Sequence, residues 1–256
     1  MGESGSGSQL ILLHEIRKAC SAYSLRELCL PVALDRKDTE ELERIVERNH
    51  PLRKGEKLCR PGQHFSAIYA VLSGSLKSSL LSHSGESQVI AFHLPGELVG
   101  LDAIGTGSHP TTIEALETTS VCKIPFSQLE TLSRKLPGLQ HQLLRVMSKE
   151  IFDEHELLQV VSRRTAEQRL AIMLINLSQR FGRRGLSRTR FRLPMSRLDL
   201  GNYLGLAPET TSRTFRRFVD QELLKVTGKE VELLDLQTLH GLTQEGSDTH
   251  RHARRY

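Results

Sequence analysis

Between Pro208 and Phe218 the chain sets a carboxylate, a hydroxyl and two guanidinium groups, Glu209, Ser212, Arg213 and Arg216, at helical spacing. On a helix they share one face. Their types suit the edges of nucleobases: an Arg fork meets guanine O6 and N7, a carboxylate accepts from a cytosine amine, and a hydroxyl serves either role. Arg216 and Arg217 suit phosphate oxygens. The other chemically capable residues are the thiols Cys20, Cys29, Cys59 and Cys122. Four thiols in 256 residues are too few for a disulfide scaffold and point to metal binding, redox chemistry or burial.

The residues around the first group are those that would position it. Ser196 caps a short helix, and Asp199 three residues on completes a capping box. Leu200 and Leu204 give that helix an apolar stripe, Gly205 permits a sharp turn, and Leu206 fills the angle. Pro208 opens a second helix where a missing N–H costs nothing, and Phe215 and Phe218 point to the core. Two strand-like runs, 223–226 and 230–234, flank Thr227-Gly228-Lys229, a hairpin placed where a winged helix-turn-helix carries its wing. An ordinary helical hairpin with a wet polar face is the competing reading. Charge separates the two: residues 162–240 carry a balance of +7, against −3 for residues 1–161. Arg180, Arg183, Arg184, Arg188, Arg190 and Arg192 cluster just ahead of the two helices, although a solvated loop would look similar. A basic module on a mildly acidic one suits a reader of a polyanion attached to something else.

The remaining elements describe that attachment. Between residues 51 and 124, apolar pieces 68–72, 76–81, 89–94 and 113–116 alternate with Gly-bearing turns, as in a compact β-roll. Helices are expected at 38–48 and 127–132, and a long one at 137–162. Along the long helix Leu139, Leu143, Val146, Glu150, Asp153, Leu157 and Val160 form one stripe. Leu144, Met147, Ile151, Glu154, Leu158 and Val161 form a second beside it. One stripe suits the roll and the other a partner helix, unless a single wide face is buried within the chain. Glu150, Asp153 and Glu154 make such a seam weak, because like charges across a symmetry axis repel and cost desolvation. The fold class expected is α+β. No run approaches ~18 apolar residues, and the Gly/Ser-rich leader lacks the order of a secretory signal, so a cytoplasmic protein is expected.

The whole arrangement resembles the CRP/FNR family of bacterial transcription regulators, and is most similar to its FNR-type (fumarate and nitrate reduction regulator) oxygen-responsive branch. The runs that carry the resemblance are Gly96-Glu-Leu-Val-Gly-Leu-Asp-Ala-Ile-Gly105, Ala115-Leu-Glu-Thr-Thr-Ser-Val-Cys-Lys-Ile-Pro-Phe126, Gly201-Asn-Tyr-Leu-Gly-Leu206 and Glu209-Thr-Thr-Ser-Arg213. It implies a Cys-bearing segment and cyclic-nucleotide-binding-like roll over 20–136, a dimerisation helix over 137–162 and a winged helix-turn-helix over 163–240; composition alone marks a flexible leader over 1–19 and a disordered, polar and basic tail over 241–256. Glu209, Ser212 and Arg213 match the family's base readers, with Arg216 and Arg217 beside the backbone. The resemblance further implies a homodimer joined along Leu144, Met147, Ile151, Glu154 and Leu158. Its operator is an inverted repeat of the TTGAT type, and RNA polymerase is a partner, with the loop around Ser84-Gly85-Glu86 a candidate contact.

FNR-type members hold a [4Fe-4S] cluster on four Cys, and Cys20, Cys29 and Cys122 match three of them. Tyr23 stands at the fourth position and offers a hard phenol oxygen instead of a thiolate. Cys59, His14 or an external ligand are the alternatives, and loss of the cluster is another. Cyclic-nucleotide sensors of the family clamp the phosphate with an Arg; here the matching stretch, His109-Pro-Thr-Thr-Ile113, has none, and no cyclic-nucleotide response is expected. A β-roll metalloenzyme of cupin type is the remote alternative. It would draw on His64, His83, His93 and His109, but these lack a His-x-His pair with a following carboxylate. No P-loop or nucleophile elbow is present, and a non-enzyme is expected.

Overall fold

The structure, a computed structural model, describes residues 30, 34–82 and 85–244. His14, Cys20, Tyr23, Cys29, His83 and Ser84, with the leader and the end of the tail, lie outside the described residues. The chain divides into two compact units, Met1–Ser78 with Phe92–Met147, and Ser79–Ala91 with Ser148–Tyr256.

The first unit begins with helix α1 (Arg36–Ile45), started by Asp35, whose carboxylate accepts the Asp38 N–H at 2.8 Å. The helix expected over 38–48 therefore starts earlier and stops sooner. Its last residues leave as β1 (Glu47–Arg48), drawn to the open edge of β8 (Ser120–Pro125), where Glu47 pairs with Lys123 in register and by a 2.9 Å ion pair. Between them come β2 (Lys57–Cys59), β3 (Ala67–Ser73), β4 (Leu76–Leu81), β5 (Ser87–His93), β6 (Leu98–Val99) and β7 (Thr112–Ala115), the Ser79–Ala91 part of β4 and β5 belonging to the second unit. They form two four-stranded sheets, ordered β1-β8-β3-β6 and β2-β7-β4-β5.

The sheet built on β3 and β8 is buried on both faces, which is why residues 67–71 form an unbroken apolar run. Ala67, Tyr69 and Val71 join a core with residues of the second sheet, including Leu58, Cys59 and Ile113. Ile68 and Ala70, with Cys122 and Ile124 of β8, face the other way into a core completed by Leu42, Leu129 and Leu139. Those come from α1, from α2 (Phe126–Lys135, longer than the expected 127–132) and from the start of α3 (Pro137–Arg163). Cys59, on the second sheet, faces the core between the sheets, while alternation along β8 turns Val121 into that core and Cys122 into the other.

Along α3, Leu139 is fully buried and Leu143 and Val146 pack on the first unit's helical core. Leu144, Ile151 and Leu158 are 55–62% exposed, as is their neighbour Phe152. Met147 is half-buried and Glu154 exposed.

In the second unit, α4 (Ala166–Arg183) opens on a capping box of Thr165 and Gln168 and buries Leu170, Leu174 and Leu177. The helices α5 (Arg197–Leu204) and α6 (Pro208–Asp220) follow, and α7 (Leu236–Gln244) packs on α4. A three-stranded sheet, ordered β10 (Leu224–Thr227), β11 (Glu230–Leu233) and β9 (Arg190–Arg192), supports them. The expected hairpin is β10 (Leu224–Thr227) and β11 (Glu230–Leu233), with Val226 opposite Val231. The Arg cluster ahead of α5 supplies the third strand, β9 (Arg190–Arg192), whose Phe191 turns inward opposite Val231. Arg184 of that cluster is buried, with its guanidinium bonded to the Arg180 carbonyl.

Candidate nucleic-acid interface and thiol sites

Local chemistry fixes the two-helix element. The Ser196 hydroxyl accepts the Asp199 N–H at 3.0 Å and the Asp199 carboxylate accepts the Ser196 N–H at 3.2 Å, so the expected capping box is formed. Leu200 and Leu204 are buried. Gly205 ends α5 at φ +62°, a left-handed conformation that favours glycine. The Leu206 N–H closes the turn on the Gly201 carbonyl at 2.8 Å. The two helices approach so closely at Gly201 that an added β-carbon would lie 2.6 Å from Thr211 Oγ1.

Pro208 then opens α6 at its first turn. Thr211, Thr214, Phe215 and Phe218 are buried, while Glu209, Ser212, Arg213 and Arg216 are exposed together on the opposite side. The first-turn position of Glu209 places a carboxylate near the positive helix end. Arg217 is also exposed but forms an ion pair with Glu167 at the start of α4, a contact the sequence reading did not anticipate. In the wing, Gly228 makes the turn and Lys229 donates to the Pro194 carbonyl at 2.9 Å.

Three further residues escaped the sequence reading. The Arg197 guanidinium lies 3.2 Å over the Phe215 ring, and burial lowers its pKa to about 10, so it stays cationic at neutral pH. Asn202 pairs its amide with the hairpin segment of the same unit, donating from Nδ2 to Ser87 O at 2.8 Å and accepting from the Val89 N–H. Burial raises the Tyr203 phenol pKa; Arg180 nearby opposes that shift and Asp153 adds to it. No spacing rule links such pairs, since tertiary packing alone brings them together.

The thiols diverge. Cys122, opposite Ala70 in register, lies in the helix-covered core. Leu30, the residue after Cys29, is buried in that same core. Cys59 lies in the core between the sheets, and burial, with the Asp102 carboxylate adding to it, pushes its pKa up to about 12. It is a protonated, inert hydrophobe; the fold does not place it with Cys122 as a substitute ligand. Of the roll's histidines, His93 bonds to Ser78 Oγ at 2.8 Å, His109 is buried edge-on to Phe65, and His64 is exposed. Among the described residues no group of three or more His, Cys, Asp or Glu is placed to hold a metal ion. The stretch from Gly100 to Cys122 contains no Lys or Arg; there Thr111 donates to Asp102 at 2.8 Å. Among the described residues no helix is long and apolar enough to cross a membrane.

Comparisons with known proteins match this architecture. The Crp-like helix-turn-helix domain matches residues 168–242, and the cyclic nucleotide-binding domain matches residues 49–135. The chain is 52% identical over 230 residues to the transcriptional activator protein Anr of Pseudomonas protegens, covering 89% of this chain and 94% of that one. It is 44% identical over 229 residues to the fumarate and nitrate reduction regulatory protein of Vibrio cholerae, covering 88% and 92%. Among solved structures, FixK2 from Bradyrhizobium japonicum superposes with a TM-score of 0.71 at 30% identity, covering 77% of this chain and 97% of that chain. With half its residues shared with Anr over nearly the full length, and a Crp-like helix-turn-helix whose second helix exposes a polar face, the chain belongs to the CRP/FNR family: a DNA-binding transcription regulator and not an enzyme.

Proposed function

We propose that the chain acts as a homodimer on an inverted repeat of the TTGAT type, under the control of oxygen or redox state. Glu209, Ser212 and Arg213 read base edges, and Arg216 and Arg217 hold the backbone, Arg217 after exchanging Glu167 for phosphate. Two readers related by a twofold axis fit half-sites about one helical turn apart. The observation that carries the dimer is the exposed apolar line Leu144, Ile151 and Leu158, with Met147 half-buried beside it. A line of large apolar side chains left in water on one helix suits a second copy of the same helix. RNA polymerase is the downstream partner, reached through the loop around Ser84-Gly85-Glu86.

Control by oxygen rests on Cys20, Cys29 and Cys122 as ligands of a [4Fe-4S] cluster. The donor set fits in part: Cys122 and the residue following Cys29 share one core, and thiolates are the donors such irons take. Kinship with a fumarate and nitrate reduction regulatory protein supports the same reading. A bound cluster supplies thiolate–iron bonds that oxidants break. The protein's own residues do the rest. Leu30 and Leu42 keep water from Cys122, and the seam along α3 responds, because Glu154 faces its symmetry mate there at a desolvation cost. Only the dimer holds both readers on one operator.

Tyr23 favours a second reading, a regulator of the same DNA without a cluster that responds to thiol oxidation, nitric oxide or no effector. Anoxic purification with iron and sulfide analysis, before and after air, decides between them. The expected result is stoichiometric iron that is lost in air together with operator affinity. An anoxic parent without iron, beside a Tyr23→Cys variant that binds it, would overturn the cluster reading for this chain.

A further inference from the structure

A reading face is only as selective as its support, and one side chain here holds that support at two distant points. We infer that Arg169 is a positioning residue for DNA reading: it ties the end of the long helix to the turn of the helix-turn-helix and so contributes to operator preference without touching a base.

Arg169 lies in the first turn of α4, half-buried, with its own N–H on the Thr165 carbonyl at 2.9 Å. Its Nε donates to the Arg164 carbonyl at 2.9 Å, in the two-residue step between α3 and α4. Its NH1 donates to Leu204 O at 2.9 Å and Gly205 O at 3.3 Å. Those carbonyls end α5, where the last turn has no intrahelical partners and the helix dipole favours a cation. A β-carbon on Gly205 would stand 3.4 Å from NH1, so the guanidinium closes directly over the turn.

The consequence follows from chain distance. Pro208 begins α6 three residues after Gly205, and Glu209 is the next residue. A small rotation of the turn therefore moves the reading face as a body, and a hydrogen-bonding face tolerates ~0.5 Å or 10–20° of misplacement. A planar fork with fixed donor directions suits this task. Lysine, a point charge on a flexible stem, cannot address the Arg164 carbonyl and the turn together in one geometry. The same fork gives the state of α3 a rigid path to the reader, since the residue it grips follows the last residue of that helix.

The inference rests on the operator reading above, and its test separates the two. Affinities of the full-length parent, Arg169→Gln and Arg169→Lys are measured on an inverted-repeat duplex and on a random duplex across a range of salt, with thermal unfolding of each. Both variants are expected to lose ten- to hundredfold on the inverted repeat, the scale of one misplaced bidentate base contact. Random-duplex affinity, its salt slope and the melting temperature are expected to stay at parental values. Exchange of the Arg169 Nε–H, seen by NMR, is expected to be slow in the parent. Three outcomes overturn the inference: unchanged preference in both variants, parallel loss on both duplexes with a shallower salt slope (a phosphate contact), or loss that tracks a lowered melting temperature in both. A parent without preference for the inverted repeat overturns the operator reading instead.

Discussion

The second helix of the helix-turn-helix and the thiol-bearing roll put their chemistry together in opposite ways. In α6, Glu209, Ser212, Arg213 and Arg216 lie within eight consecutive residues, and the helical period alone places them on one exposed face. In the roll, Cys59 and Cys122 are 63 residues apart, both buried, and placed by their different sheets and the alternation of β8 into two cores. Chemistry written along a helix stays where the sequence puts it. Chemistry written across a sheet acquires its meaning only from pairing and register.

The largest effect expected from breaking this comparison is on α3, the other helix whose chemistry follows its period. Ile151→Glu puts a carboxylate in the middle of the exposed apolar line. Burial of an Ile side chain is worth ~1.5–3 kcal/mol and twofold symmetry counts it twice, so dimerisation should weaken by about 3 to 6 kcal/mol. Sedimentation equilibrium under anoxic conditions checks this. A variant that dimerises like the parent would show that the apolar line serves something other than a second copy.

Next in size is Arg213→Ala on α6. Loss of a forked guanine contact should cost about 1 to 3 kcal/mol and relax preference at one base position while leaving the others intact. Binding to a panel of single-position operator variants reads this out. A uniform loss over the panel would reassign Arg213 to phosphate and leave Glu209 and Ser212 as the readers.

The same contrast explains what was legible in the sequence. The capping box of Ser196 and Asp199, the left-handed turn at Gly205, the wing turn at Gly228 and the packing of Leu139, Leu143 and Val146 on the roll's core all rest on residues a few positions apart, and all are present in the structure. The helix expected over 38–48 stops short because Glu47 and Arg48 answer to the edge of β8, whose Lys123 and Cys122 lie 76 and 74 residues away. The strand β9 was hidden in an Arg-rich stretch, since a single inward Phe191 between two arginines shows too little alternation to announce itself. The ion pair of Arg217 with Glu167, the stacking of Arg197 on Phe215 and the grip of Arg169 on the turn depend on where α4 meets the two-helix element. No spacing along the chain encodes that meeting.

The smallest expected effect sharpens the thiol half of the comparison. Burial and the Asp102 carboxylate raise the Cys59 pKa from 9.0 to about 12, so the folded state resists ionising a thiol that the unfolded chain ionises readily. Such a group contributes stability that is fully present below pH 9 and is lost as pH rises toward 12. The unfolding free energy of the parent should therefore fall more steeply between pH 9 and 11 than that of Cys59→Ala, although the variant starts lower at pH 7 for want of the buried sulfur. Burial, with Cys59 and Glu47 adding to it, also raises the Tyr69 phenol, so the comparison is made in a Tyr69→Phe background, which removes its share. Denaturant titrations at pH 7, 9, 10 and 11 measure the two slopes. Parallel slopes would mean that Cys59 ionises in the native protein, and the distinction between Cys59 and Cys122, the thiol proposed as a ligand, would then have to rest on their positions in the two cores alone.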